Sequence, residues 1–107
     1  MVWQHYVSYF WGALFLTNAI PHLVSGLSGR PFQSPFAKPP GEGLSSSTVN
    51  VVWGFFNLVV GYLLVVQVGS FDPKNLGHVG VMAVPSLAGG LFLARRFGRF
   101  NGGNDPS

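Results

Sequence analysis

Three stretches of this chain, from about Tyr6 to Leu27, from Asn50 to Val68 and from Leu76 to Ala94, contain no Asp, Glu, Lys or Arg. Nothing else in the sequence restricts the fold as strongly. Each stretch is close to the ~20 residues that cross a ~30 Å hydrocarbon core as a helix. A charge at the centre of such a helix costs ~2.5–3.5 kcal/mol on insertion scales, so its exclusion is informative. Buried helices of a water-soluble bundle would carry outer faces rich in Glu and Lys; these have none. A chain of 107 residues is also too short to bury a large core in water. Its charged fraction of 8% lies far below the about 25% of ordinary globular domains. The expected fold is all-α: an integral membrane helical bundle with three transmembrane helices, about 6–27, 50–68 and 76–94. It forms one domain over 1–100, with a disordered tail over 101–107.

Local signals agree with these spans. Ser45, Ser46, Ser47 and Thr48 offer N-caps for the second helix, and Gly69 can end it. Asp72 followed by Pro73 suits the start of the third, and Gly98, after Arg95 and Arg96, its end. Pro21 and Pro85 should each kink their helix or end it a turn early. The first span lacks the basic flank and small-residue cleavage site of a signal peptide, and is expected to stay.

Cation placement sets the orientation. Arg30 and Lys38 lie in the first connection and Arg95, Arg96 and Arg99 follow the third span, whereas the opposite side holds only Lys74. The positive-inside rule then places the N-terminus outside and the C-terminus inside. The five clustered cations are expected to meet anionic lipid headgroups. Nucleic acid is not an expected partner, because the cations sit at span ends and not along one face.

The connection over 28–47 carries prolines at 31, 35 and 39, which favour an extended, polyproline-like path over helix or central strand. Phe32 and Phe36, beside Arg30 and Lys38, suit an interfacial layer. Either an anchored surface linker or a re-entrant, partner-docking segment fits this composition. The short second connection should make the last two helices antiparallel neighbours.

Any chemistry must involve polar residues within the spans, which are expensive there unless they serve packing or function. Gln4, Trp11, Asn18 and His22 recur at helical spacing on the first helix, and Asn50, Trp53, Asn57 and Gly61 do so on the second. The two stripes are expected to face each other and to bond through their Asn side chains. With Arg30, the residues Asn18, His22, Asn50, Trp53 and Asn57 form the candidate binding cluster. The third helix carries Gly77, Gly80, Ala83, Ser86, Gly89 and Gly90, a close-approach face for a partner subunit or for a helix of the same chain. His5 and His78, both near the outer surface, are the candidates for a tetrapyrrole; no His-x-x-x-His metal motif is present. Cysteine is absent, and no carboxylate lies within a span. Thiolate sites and paired-carboxylate catalysis are thereby excluded, and no enzyme is expected.

The segments Asn18-Ala19-Ile20-Pro21-His22-Leu23-Val24-Ser25-Gly26, Gly29-Arg30-Pro31-Phe32 and Trp53-Gly54-Phe55-Phe56-Asn57 resemble small three-helix integral membrane proteins of bacteria to which no activity is assigned. The resemblance covers most of the chain and implies a bacterial inner-membrane setting. A looser likeness is to DoxX-like membrane proteins, from which this chain departs by having three spans where four are usual; no functional residue is carried over. The expected role is an accessory, assembly or self-associating component, as a homo-oligomer or as a subunit of a larger membrane complex. The alternatives are a small oligomeric carrier or channel for a proton, ion or small solute, and a tetrapyrrole-binding subunit.

Overall fold

The computed structural model describes residues 2–105. Helix α1 spans Val2–Leu27, and helix α2 spans Ser47–Tyr62 and continues as a π-helical segment, Leu63–Val68. Helix α3 spans Leu76–Asn101. All three are long and apolar enough to cross a membrane. The longest dimension, 43 Å, matches a bilayer of ~40–45 Å including headgroups.

Helix α1 is the central element, packed chiefly on α2 and secondarily on α3. The last two helices are therefore neighbours of α1 and hardly touch each other, unlike the direct pair expected from their short connection. Glycine explains the tight α1–α2 seam. A Cβ on Gly61 would stand 2.6 Å from Leu16 Cγ, and one on Gly54 2.7 Å from Leu23 Cγ. One on Gly26 would stand 2.8 Å from the Ser47 carbonyl oxygen. Close backbone approach of this kind supplies dispersion contacts that the bilayer cannot replace.

Helix ends follow their caps. Ser46 caps α2, its hydroxyl accepting the Val49 N–H at 3.2 Å. The cap of α3 is Asn75, which accepts the His78 N–H at 3.2 Å, and not Asp72, which instead closes a turn by accepting from Lys74 at 2.9 Å. Helix α3 also passes Gly98 and stops at Gly102, whose φ of +83° is the left-handed geometry that ends helices. Asn101, expected in the tail, is its last residue; residues 106 and 107 lie outside the described region. Pro21 and Pro85 sit inside unbroken helices, so neither ends its helix early.

The π-helical segment leaves carbonyls displaced from the regular ladder, and hydrocarbon offers them no partner. Helix α1 supplies two. Ser8 Oγ donates to the Leu64 carbonyl at 2.5 Å, and the Tyr9 hydroxyl donates to the Gly69 carbonyl.

The first connection is folded. Strand β1, Phe32–Gln33, pairs antiparallel with strand β2, Leu44–Ser45, placing Phe32 opposite Ser45. Pro31 immediately precedes β1, and Pro35, Pro39 and Pro40 occupy the loop between the strands, which reconciles their number with the pairing. Gln33 and Ser34 are buried, and Asn101 Nδ2 donates to Gln33 Oε1 at 3.0 Å. The connection thus packs against the end of α3 as a cap over one end of the bundle.

Candidate functional site

Five of the six residues expected to cluster meet beneath this cap. The stripes of α1 and α2 are joined twice: Asn18 Nδ2 donates to Asn57 Oδ1 at 3.1 Å, and His22 Nδ1 lies 2.7 Å from Asn50 Oδ1. Asn57 in turn donates to the Trp53 carbonyl at 2.8 Å. Asn50, fully buried, directs Nδ2 at the carbonyls of Phe32 (3.2 Å), Ser45 (3.2 Å) and Ser46 (3.0 Å). One side chain therefore ties α1, α2 and both loop strands together.

This network fixes the state of the imidazole. Asn50 Nδ2 faces three carbonyls, so its amide orientation is determined and Oδ1 faces His22. Since Oδ1 only accepts, Nδ1 of His22 carries the proton. In the neutral ring Nε2 is then an acceptor, without a partner among the described residues. Phe32, Trp53 and Phe97 surround the ring edge-to-face, with centroids 5.5, 6.3 and 5.9 Å away.

His22 and Asn18 line a cavity of ≈ 210 Å³ bounded by Trp53 of α2, Phe92, Leu93, Arg96 and Phe97 of α3, and Gln33, Ser34, Pro35 and Gly41 of the cap. Arg96 reaches across it, donating from Nη2 to the Gly41 carbonyl at 3.2 Å. Trp53 Nε1 is buried without a hydrogen-bond partner among the described residues.

Arg30 stands apart from this cluster. It is exposed and borders a separate surface hollow with Pro21, Val24, Ser25 and Phe32. The stripe expected on α1 also divides: Asn18 and His22 join the cluster, whereas Gln4 is exposed and Trp11 is 53% exposed. Gly12 takes the place toward α2, where a Cβ would stand 3.2 Å from the Gly61 carbonyl oxygen. Phe32, expected in the headgroup layer, is instead half-buried against Phe97 at 4.6 Å. Gln33, Ser34 and Phe97 were not singled out from sequence, and Arg96 was expected only as an orienting cation that meets lipid headgroups. Only the loop fold and the return of α3 bring them to the cavity.

The other two histidines lie toward the opposite end. His78 is half-buried among Tyr6 (5.5 Å), Tyr9 (4.7 Å) and Phe71 (6.0 Å), and its Nδ1 accepts the Asp72 N–H at 3.1 Å. His5 is half-buried, one residue before Tyr6 on α1. Among the described residues no three of His, Asp or Glu come together as metal ligands. Comparison with protein-family models, with curated proteins and with solved structures finds no match to this chain.

Proposed function

We propose that this chain is a multi-pass protein of the bacterial inner membrane, N-terminus outside and C-terminus inside, that acts as an accessory or assembly component. Its helix α3 joins a second copy or a larger membrane subunit. The observation that carries this reading is the contrast between helices. The polar groups of α1 and α2 bond one another inside the chain, whereas α3 buries only 6% of its most apolar window, against 28% for each of the other two. The small residues of α3 divide accordingly. A Cβ on Gly89 would stand 2.9 Å from Leu14 Cδ2, so that position is taken by α1, whereas one on Gly80 would meet nothing within 4 Å. Gly80, Ala83 and Leu87 form an open stripe on which another helix can lie closely. Lipid headgroups meet Arg30, Lys38, Arg95, Arg96 and Arg99 at the capped end, consistent with that end facing the cytoplasm.

The natural chain has no cysteine, so single substitutions report contacts directly. Ala83→Cys and Leu87→Cys should cross-link in native membranes to a second copy or a larger chain, while Phe55→Cys on the outer side of α2 should not. Equal cross-linking at all three positions, or none at α3, would overturn the reading.

A further inference from the structure

Trp53 is a wall shared by two unlike hollows. On one side is the polar cavity beneath the cap. On the other lies an apolar groove of ≈ 580 Å³, lined by Phe36, Thr48, Val49, Val52, Trp53 and Phe56. Phe36 stands edge-to-face against Trp53 at 5.1 Å, and Phe56 stacks on it at 5.7 Å.

The cavity gathers polar groups whose partners are incomplete. His22 is 2% exposed, and Nε2 keeps a lone pair because Nδ1–H is committed to Asn50. Gln33 is 3% exposed and spends Oε1 on Asn101, leaving its amide N–H groups. Arg96 bonds here to a neutral carbonyl and lies 5.8 Å from the Phe100 ring centroid, so no anion meets its charge among the described residues. Among the described residues Trp53 Nε1 alone is enclosed without a partner, so His22 Nε2 and the Gln33 amide open onto the cavity, where a guest can reach them. A guest completing this set must offer an O–H to Nε2 and oxygen acceptors to the amide and the guanidinium. A carboxylic or phosphoric acid group does both. The groove beyond Trp53 specifies the rest of the guest: it is apolar and runs along a helix that faces hydrocarbon.

We propose that cavity and groove together bind an acidic amphiphile drawn from the membrane, its head at His22, Gln33 and Arg96 and its chain along Val49, Val52 and Phe56. The acid proton lies between a head-group oxygen and Nε2. On full transfer the imidazole gains the proton that the acid loses, and imidazolium and guanidinium together face the anion. This binding is separate from the assembly role, which uses the opposite, outer face of α3.

The test uses the full chain in phosphatidylcholine nanodiscs, with Trp3→Phe and Trp11→Phe leaving Trp53 as the one indole. Three brominated probes of equal chain length are titrated: a fatty acid, a phosphatidic acid and a fatty alcohol. Saturable quenching of Trp53 by one or both acids is expected, and which acid quenches identifies carboxylate or phosphate as the head. His22→Asn keeps a donor for Asn50 but deletes Nε2; Arg96→Gln removes the charge, and Val52→Phe fills the groove without adding an indole. Each should weaken binding at least about tenfold, the scale of one charge-assisted bond or one blocked apolar contact. Arg96 and Val52 lie outside the buried Asn50 network, so the test survives if His22→Asn fails to fold. Quenching by the alcohol equal to that by the acids, or quenching that rises linearly with probe fraction, would overturn the proposal. So would unchanged affinity in Arg96→Gln and Val52→Phe.

Discussion

Replacing Asn50 by Leu should damage this protein far more than replacing Asn57 by Leu, although both are buried asparagines on the same helix face. Asn50 is the partner of the His22 Nδ1–H and donates to the carbonyls of Phe32, Ser45 and Ser46. Of these, the Ser46 carbonyl keeps the Asn50 backbone N–H as a partner. The substitution therefore strands one buried donor and weakens the hold on β1 and β2. The stranded donor costs ~1–3 kcal/mol and each of the two lost bonds to the loop ~0.5–1.5 kcal/mol, so the total is about 2–6 kcal/mol. Asn57 makes one interhelical bond, to an Asn18 that is only half-buried and can turn elsewhere, and one bond to the Trp53 carbonyl of its own helix. Its loss should cost ~0.6–1.7 kcal/mol, the range of interhelical bonds within membranes. Reversible unfolding in mixed micelles, followed by far-ultraviolet circular dichroism, measures both. The same experiment in a His22→Phe background should recover ~1–3 kcal/mol of the Asn50→Leu cost, because no donor is then stranded. Equal costs for the two asparagines, or no recovery in the double variant, would refute the role given to Asn50.

Glycine substitutions should separate the two faces of the bundle. Gly26→Ala places a Cβ 2.8 Å from a backbone oxygen and 2.9 Å from the Val51 backbone nitrogen, and should cost ~1–3 kcal/mol in the same unfolding assay. Gly80→Ala meets nothing within 4 Å, and should be neutral or stabilise by up to ~1 kcal/mol through helix propensity. Ser46→Ala removes the cap on α2 and should lower stability by ~0.5–2 kcal/mol. A reporter fused after Ser107 should be active in the cytoplasm alone, and periplasmic activity would contradict the proposed orientation.

The three helices were legible because exclusion of charge over a bilayer's length is a one-dimensional property that no tertiary contact can hide. The meeting of the two polar stripes was legible for a related reason, since helical spacing puts Asn18 and His22 on one face of α1 and Asn50 and Asn57 on one face of α2. The partners Asn18–Asn57 and His22–Asn50 came only with the structure. The same spacing misplaced Trp11 and Gln4. A helix flanked on two sides has two buried faces, and the true α1–α2 seam runs through Gly12, Ala19 and Gly26, small residues that carry no polar signal. The cap was illegible because its strands are two residues long and are held by Asn50 from another element. Proline content reported the bends of that connection but not what it would pack on. Arg96 and Gln33 joined the cavity only through the loop fold and the return of α3, and Arg96 read along the chain as one more orienting cation.

Native mass spectrometry of the protein released gently from its own membrane tests the assembly role most directly. The predicted result is a defined homo-oligomer or a fixed complex with a larger chain, reduced to the single chain by bulky substitution at Gly80 and Ala83. A single chain carrying only lipid, unchanged by those substitutions, would contradict it.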